Sequence, residues 1–487
     1  MENTKDLRLL LASRYPLIVA QADDEERFMD ILRRAAGRVS LPVWRWSATR
    51  GLVRDGGDPA YNTIELRRAL EFIASLKVPG VFVLADAHPA LADAVTVRRV
   101  KEMAQSPLPG QTLVITGPGV DVPTELKHEA LTWVLEPPSR EELEELVRRL
   151  IGDMASRNLT VLPDAAGVAA LIDAVQGLSL REAERVIREA AHRGALDDDG
   201  VAFVRAAKAE MLKGGILELV GSDVGTLDQV GGMDGLKEWL RLRGRALEPA
   251  AKQFGLDPPK GVLLTGVPGC GKSLVAKTLA RTWDLPLVLL DPARIYGPYV
   301  GESEQKLHDA LETVEAMAPV VLWVDEIEKG FAAGGMGDSG VSRRILGTFL
   351  RWMQDRPPGV FLVATCNDVD SLPPEFLRKG RFDEIFFVDL PGPQERESIF
   401  RIQLSRRKRD PASLDLARLV RASEGFSGAE IEAAVVGAMY RAYATGRELT
   451  TEELVEELAG AAPLSRTRAE DVERLRAWAA GRAVPAT

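Results

Sequence analysis

The chain reads as α/β. A parallel sheet carries a phosphate-binding loop and a small helical lid, and a second α/β module with its own helical segment precedes it. Three observations lead there. Short runs rich in Val, Ile and Leu lack apolar–polar alternation, as strands buried on both faces of a parallel sheet do. A complete glycine-rich phosphate pattern lies between one such run and a helical stretch. Short matches recur in the same order about half a chain apart, the mark of an internal duplication.

The runs are Leu17–Ala20, Val81–Ala85, Leu113–Thr116, Val262–Thr265, Leu287–Leu290, Val320–Val324, Val360–Ala364 and Ile385–Val388. Helical stretches between them set the class. One helix-rich segment opens at Ser139, with Glu142 placed for a capping box, and another opens near Pro393, with proline in the first turn. A glycine-rich stretch ending at Gly231-Gly232 reads as a linker. The expected domains are 1–138 (first α/β domain), 139–213 (helical, lid-like), 214–230 (linker), 231–392 (second α/β domain), 393–463 (helical lid) and 464–487 (C-terminal helix and tail). Four matches carry the repeat. Leu41-Pro42-Val43 resembles Leu285-Pro286-Leu287, and Pro79 to Asp86 resembles Pro319 to Asp325. Val122–Leu126 resembles Leu372–Phe376, and Gly177–Glu182 resembles Gly425–Glu430.

The 487 residues are 46% hydrophobic and 28% charged, ordinary for a globular chain with several cores, and the net charge is −10. That balance disfavours non-specific binding to nucleic acid or anionic membrane. Two cysteines, Cys270 and Cys366, exclude a disulfide framework and fit a reducing compartment. The first residues carry Arg8, Arg14 and Asp23 inside their apolar runs, so no signal peptide is expected. No apolar run approaches the ~18 residues of a membrane span. The expectation is a cytoplasmic protein without a membrane segment. His88, His128, His192 and His308 are scattered and form no metal pattern.

Gly266-Val267-Pro268-Gly269-Cys270-Gly271-Lys272-Ser273 fits G-x-x-x-x-G-K-[ST] in full, and Leu274 opens the helical stretch that follows. Glycines let successive N–H groups turn inward on phosphate, and a helix N-terminus adds positive potential. Lys272 suits the β- and γ-phosphates of ATP, and the Ser273 hydroxyl suits Mg²⁺. Acids just past a buried strand are ordinarily solvent-facing terminators. Asp325 and Glu326, placed after Val320–Val324 in a phosphate-loop domain, read instead as a group for Mg²⁺, directly or through water, and as a general base or water-positioning group. Asn367, at the end of another run, is either a turn residue or the amide that holds the attacking water. Asn367-Asp368-Val369-Asp370 is not a guanine-reading N-K-x-D, so GTP is not indicated.

Together with Arg378-Lys379-Gly380-Arg381-Phe382-Asp383, these motifs occur in the order of the AAA family of ATPases, which this half of the chain resembles. The resemblance implies a P-loop NTPase sheet with a small helical lid behind a degenerate AAA-like module. It implies that Gly231, Gly428 and Ala429 approach the adenine, and that subunits form a homohexameric ring. Arg381 would then reach a neighbour's γ-phosphate. Relatives often carry a second arginine where Glu384 stands, so a paired finger is not expected. Tyr299-Val300-Gly301 resembles the loop with which threading members grip polypeptide; a buried tyrosine is the competing reading. Gly334–Gly340 is either a second pore loop or an ordinary surface loop. Lys379–Pro391, Asp325–Phe331 and the two-module length resemble a narrower AAA family, first named as an open reading frame of algal plastid genomes.

The first module lacks these groups. Val19–Glu26, at the phosphate-loop position, has no glycine or lysine and four consecutive acids that repel phosphate. Asp86 matches Asp325, with Ala87 in place of Glu326; Pro118 stands near the Asn367 position and Leu131 near Arg381. A scaffold or docking role follows. The arginine-rich tail Arg466–Arg482 reads as a helix with a solvated face. The whole is an ATP-hydrolysing ring motor on an unidentified protein client. A nucleic-acid motor or loader and a nucleotide-gated scaffold are the rivals.

Overall fold

The computed structural model describes residues 2–22, 24–120, 122–155, 163–193, 196–212, 215–221, 225–247, 249–296, 302–331 and 339–487. The chain divides into two compact units, 1–138 with 179–185, and 139–178 with 186–487.

The first unit holds β1 (Leu17–Gln21), β2 (Val43–Ser47), β3 (Gly51–Arg54), β4 (Gly80–Ala85), β5 (Gln111–Gly117) and β6 (Ala130–Val134), in the order β3-β2-β4-β5-β1-β6. All neighbours are parallel except β2 and β3. Helices cover both faces. Leu17 and Val19 point to a core with Leu70, Ile73 and Val100, while Ile18 and Ala20 point to one with Leu7, Phe28 and Leu32. Burial on both sides is why the strand residues do not alternate.

The second unit contains β7 (Leu217–Val220), β8 (Gly261–Gly266), β9 (Leu287–Leu290), β10 (Val320–Val324), β11 (Val360–Cys366), β12 (Glu384–Val388) and β13 (Val484–Pro485), in the order β13-β12-β8-β11-β10-β9-β7. Its sheet is likewise sandwiched. Leu322 and Val324 pack with Phe331, Phe349 and Phe376, while Val321 and Trp323 pack with Val275 and Leu279 of the helix Lys272–Thr282. Four helices between Pro393 and Gly460 form the lid around Phe400, Leu404, Ile431 and Leu454.

The two sheets repeat one plan. Strand for strand, β6-β1-β5-β4-β2 corresponds to β12-β8-β11-β10-β9, and each sheet adds an antiparallel strand at the same edge, β3 from just after β2 and β7 from ahead of β8. The helices after Ser179 and Ser427 open alike: Glu182 and Glu430 accept hydrogen bonds from their Ser N–H at 3.0 and 2.7 Å.

Register corrects one detail of the alignment. Leu84 pairs with Ile115 as Val324 pairs with Ala364, so Ala85 stands at the Asp325 position and Asp86 at the Glu326 position. Asp86 and Glu326 also share a left-handed backbone, φ +50° and +47°. The phosphate-loop counterpart is shorter as well, with three residues between β1 and its helix against five after β8. Asp24 caps that helix by accepting from Arg27 N, and Arg45 pairs with Glu25. The N–H groups and charge that phosphate would use are thus already engaged.

Two segments differ from expectation. Within 214–230, expected as a linker, Leu217–Val220 adds an edge strand antiparallel to β9, because Ile216 and Leu217 bury their side chains. The tail is no solvated helix alone. Val472, Leu475 and Ala479 of the helix Ala469–Ala479 are buried in the cores of the second unit, Arg476 pairs with Asp389 at 2.8 Å, and β13 extends the sheet. Arginines dominate the composition, but the three apolar residues on one face decide the packing. Leu475→Ala should lower stability by about 2–5 kcal/mol, read as a shift in the denaturant midpoint. Arg482→Ala, at an exposed position, should stay within about 0.5 kcal/mol.

Candidate functional site

β8 is buried along its length and delivers the phosphate loop at its C-terminal end. Gly269 and Gly271 take φ +76° and +92°, a backbone that side chains resist, and this curls the loop ahead of the helix Lys272–Thr282. Lys272 is 5% exposed and folds back to donate to the carbonyls of Gly266 at 2.8 Å and Val267 at 2.9 Å. Burial pulls its ammonium down to about 8. A buried cation held by carbonyls on a loop built for phosphate oxygens fits the phosphates of ATP.

Neighbouring strands bring the acids. Ser273 Oγ donates to Asp325 Oδ1 at 2.8 Å, and Thr365 Oγ1 donates to the same oxygen at 2.6 Å. Thr365 Oγ1 also accepts the Glu326 N–H at 2.9 Å, which pins the left-handed turn carrying both acids. Hydroxyl and carboxylate at the mouth of the loop form the hard-oxygen set that Mg²⁺ takes alongside phosphate. Among the described residues no group of three or more His, Cys, Asp or Glu forms a separate metal site.

Glu326 Oε1 accepts from Asn367 Nδ2 at 2.9 Å, and Oε2 accepts from Lys329 Nζ at 2.5 Å. The Lys329 hydrogen bond, followed by its charge and the Asn367 amide, holds the carboxyl below its usual range against a smaller desolvation effect. Asn367 is thus no mere turn residue. Glu328, 4% exposed, accepts the Asn367 N–H at 3.0 Å. Sequence reasoning gave no roles to Thr365, Glu328 or Lys329. For Glu328 and Lys329 the signal was a pair of charges in the stretch after Asp325; for Thr365 there was none, since threonine is common in strands.

The lid closes over the other side of the loop. Ala429 N donates to Gly269 O at 2.9 Å, and Gly428 lies where a Cβ would stand 3.5 Å from that carbonyl. Gly231 leaves no room for a side chain, since a Cβ would fall 2.5 Å from Ile399. Gly231, Met233, Cys270, Ile399 and Gly428 line one narrow cavity, which brings together two of the three residues expected near adenine; Ala429 is not in its lining. Both thiols are buried and pushed up, Cys270 to about 12, so neither has the thiolate character of a redox switch.

Arg381 stands apart. Asp383 accepts from Lys260 N and Gly261 N at 2.6 and 2.9 Å, which anchors the 378–383 loop at the start of β8. The phosphate loop leaves the far end of that strand, roughly 17 Å away at strand rise. Arg381 donates to Glu375 O of its own loop. Tyr299, Val300 and Gly301 lie outside the described residues, as do 332–338 of the second glycine-rich loop.

A phosphate loop, two acids and a polar amide on adjacent parallel strands, under a helical lid, define a P-loop ATPase of the AAA class. Family models agree: "ATPase family associated with various cellular activities (AAA)" matches residues 262–390 and "AAA+ lid domain" matches 413–457. "SpoVK-like AAA ATPase, N-terminal domain" and its "second domain" match 3–135 and 141–215. The AAA domain-containing protein ycf46 of Pyropia yezoensis is 37% identical over 98% of both chains, and that of Trieres chinensis 34% over 98% of this chain and 97% of its own. The chain therefore belongs to the ycf46 family of AAA ATPases, and it is an enzyme that hydrolyses ATP. A proteasome-activating nucleotidase of Aeropyrum pernix is 34% identical over 42% of this chain and 51% of its own. Among the described residues no helix is long and apolar enough to cross a membrane.

Phosphate charge favours the ammonium form of Lys272, so ATP binding should raise its pKa and take up protons at about pH 8.5, where the free site is partly neutral, but scarcely at about pH 7. Calorimetry in two buffers of different ionisation heat checks this. Equal heats in both buffers at the higher pH would contradict the placement of Lys272.

Proposed function

We propose that the protein is a homohexameric ring motor that uses ATP and Mg²⁺ to remodel or unfold a protein client. The observation that carries this is the separation of Arg381 from Glu326 by the length of β8. One chain supplies the loop, the metal-side oxygens and the base at one end of the sheet, and an anchored cationic loop at the other. Stacking subunits around a ring brings the second to the first and completes the site.

In this reading Lys272 and the loop N–H groups hold the phosphates, while Ser273 and Asp325 hold Mg²⁺, which supplies charge neutralisation when bound. Glu326 takes the proton of the attacking water, and Asn367 fixes the direction of that carboxylate and the water. Gly231, Gly428 and Ala429 admit the adenine. A neighbour's Arg381 meets the charge that develops on the γ-phosphate. The relatives named proteasome-activating nucleotidases support a protein client, and the net charge of −10 disfavours nucleic acid. Tyr299, Val300 and Gly301 would grip the client in the pore. An aromatic face there needs no particular sequence to press against. The first domain, 1–138, is a docking or scaffold domain, since the groups that would hold phosphate are missing.

Glu326→Gln should bind ATP and stop turnover, and Arg381→Ala should slow turnover with binding nearly intact. Trans-acting arginines contribute roughly 10³–10⁵ in rate in GTPases, which bounds the effect. Mixing the two variants should restore part of the activity, because some interfaces then pair an intact Glu326 with an intact Arg381. No recovery in rings shown to be mixed would overturn the trans arrangement.

A further inference from the structure

Both oxygens of Glu326 are engaged, but by partners of different kinds. Asn367 sits just past β11 with its backbone N–H fixed by buried Glu328, so the amide on Oε1 is a rigid fixture. Lys329 sits on the short helix Ile327–Phe331, its N–H bonded to Glu326 O at 2.8 Å, and its side chain is 69% exposed. That ammonium meets Oε2 at 2.5 Å. A base must offer a lone pair to water. An ammonium in contact occupies one on Oε2 and holds that oxygen toward the short helix, so it competes with water for the carboxylate.

The surroundings give the lysine somewhere to go. Lys329, Glu326 and Asn367 line a cavity of about 380 Å³ together with Pro268 of the phosphate loop and Arg468 of the C-terminal segment. The ammonium therefore shares a cavity with Pro268 of the phosphate loop. We propose that Lys329 is a latch on Glu326, a positioning residue that restrains the base until a stronger anion, the γ-phosphate, draws the ammonium away. The inference rests on the reading of Glu326 as the base. An exposed pair of this kind holds its partners by about two- to fivefold, strong enough to restrain a rate and weak enough to open in every cycle.

The test is single-turnover hydrolysis of bound ATP by the full-length protein. Lys329→Met keeps the length of the stem and removes the charge. Its hydrolysis rate should rise by about two- to fivefold while ATP affinity falls by a similar factor at most, since the ammonium no longer meets the γ-phosphate, whereas Lys329→Arg, which keeps the cation, should stay near the original in both. Lys329→Gln takes the place of Lys329→Met should the latter fail to fold. A rate that is unchanged or lower without the charge overturns the latch. Glu326→Gln, made alone and with Lys329→Met, separates the two ideas. Turnover surviving in it overturns the base and the latch together, while a dead Glu326→Gln beside an unaccelerated Lys329→Met overturns the latch alone.

Discussion

The hydroxyl of Thr365 is the point on which the site turns. It donates to Asp325 and accepts from the N–H of Glu326, so one side chain on β11 fixes both acids at the end of β10. The turn it stabilises is left-handed at Glu326, a conformation that costs a non-glycine residue energy and persists only when neighbours hold it. Ser273 joins through the same Asp325 oxygen. The phosphate loop, the Ser273 hydroxyl and the carboxylates of Asp325 and Glu326 are therefore positioned by one hydrogen-bonded knot spanning three parallel strands, whose buried register leaves no freedom to slip.

The first domain shows what the sheet alone provides. Its strands run in the same order and carry a carboxylate, Asp86, on the same kind of turn as Glu326. The loop after β1 is shorter, and an aspartate caps the following helix where phosphate oxygens would sit in the second unit. Fold and chemistry have separated: the packing of the sheet does not depend on the nucleotide groups, so those groups can disappear while the core remains.

Much of this was legible in the sequence because burial and phosphate binding both leave local marks. Strands β1, β4, β5 and β8 to β12 announce themselves as apolar runs, since both faces of each are covered. Strands near the sheet margins do not. Val43-Trp44-Arg45-Trp46 of β2, one strand in from the edge, mixes charge with aromatics, and Leu217–Val220 at the edge sits beside glycines that suggested a linker. The phosphate motif located Lys272 and Ser273 from spacing alone. Thr365 and Glu328 act through contacts between β11 and the turn after β10, and no local pattern marks a partner about forty residues away. Counting across gaps also placed Asp86 one position off, which only strand pairing could correct.

The end of the second unit has a consequence for how the chain comes to be folded. Ala486 N donates to Phe387 O while Ala486 O accepts from Leu236 N, both at 3.0 Å, and the residue is 1% exposed. The edge of the ATPase sheet is thus closed by residues some 250 positions apart. Chain of that length must loop back before the pairing forms, and the entropy lost is repaid only by contacts that form with it. The first domain has its own cores, so its folding does not wait on this closure, and the two halves need not reach their final structures at one rate.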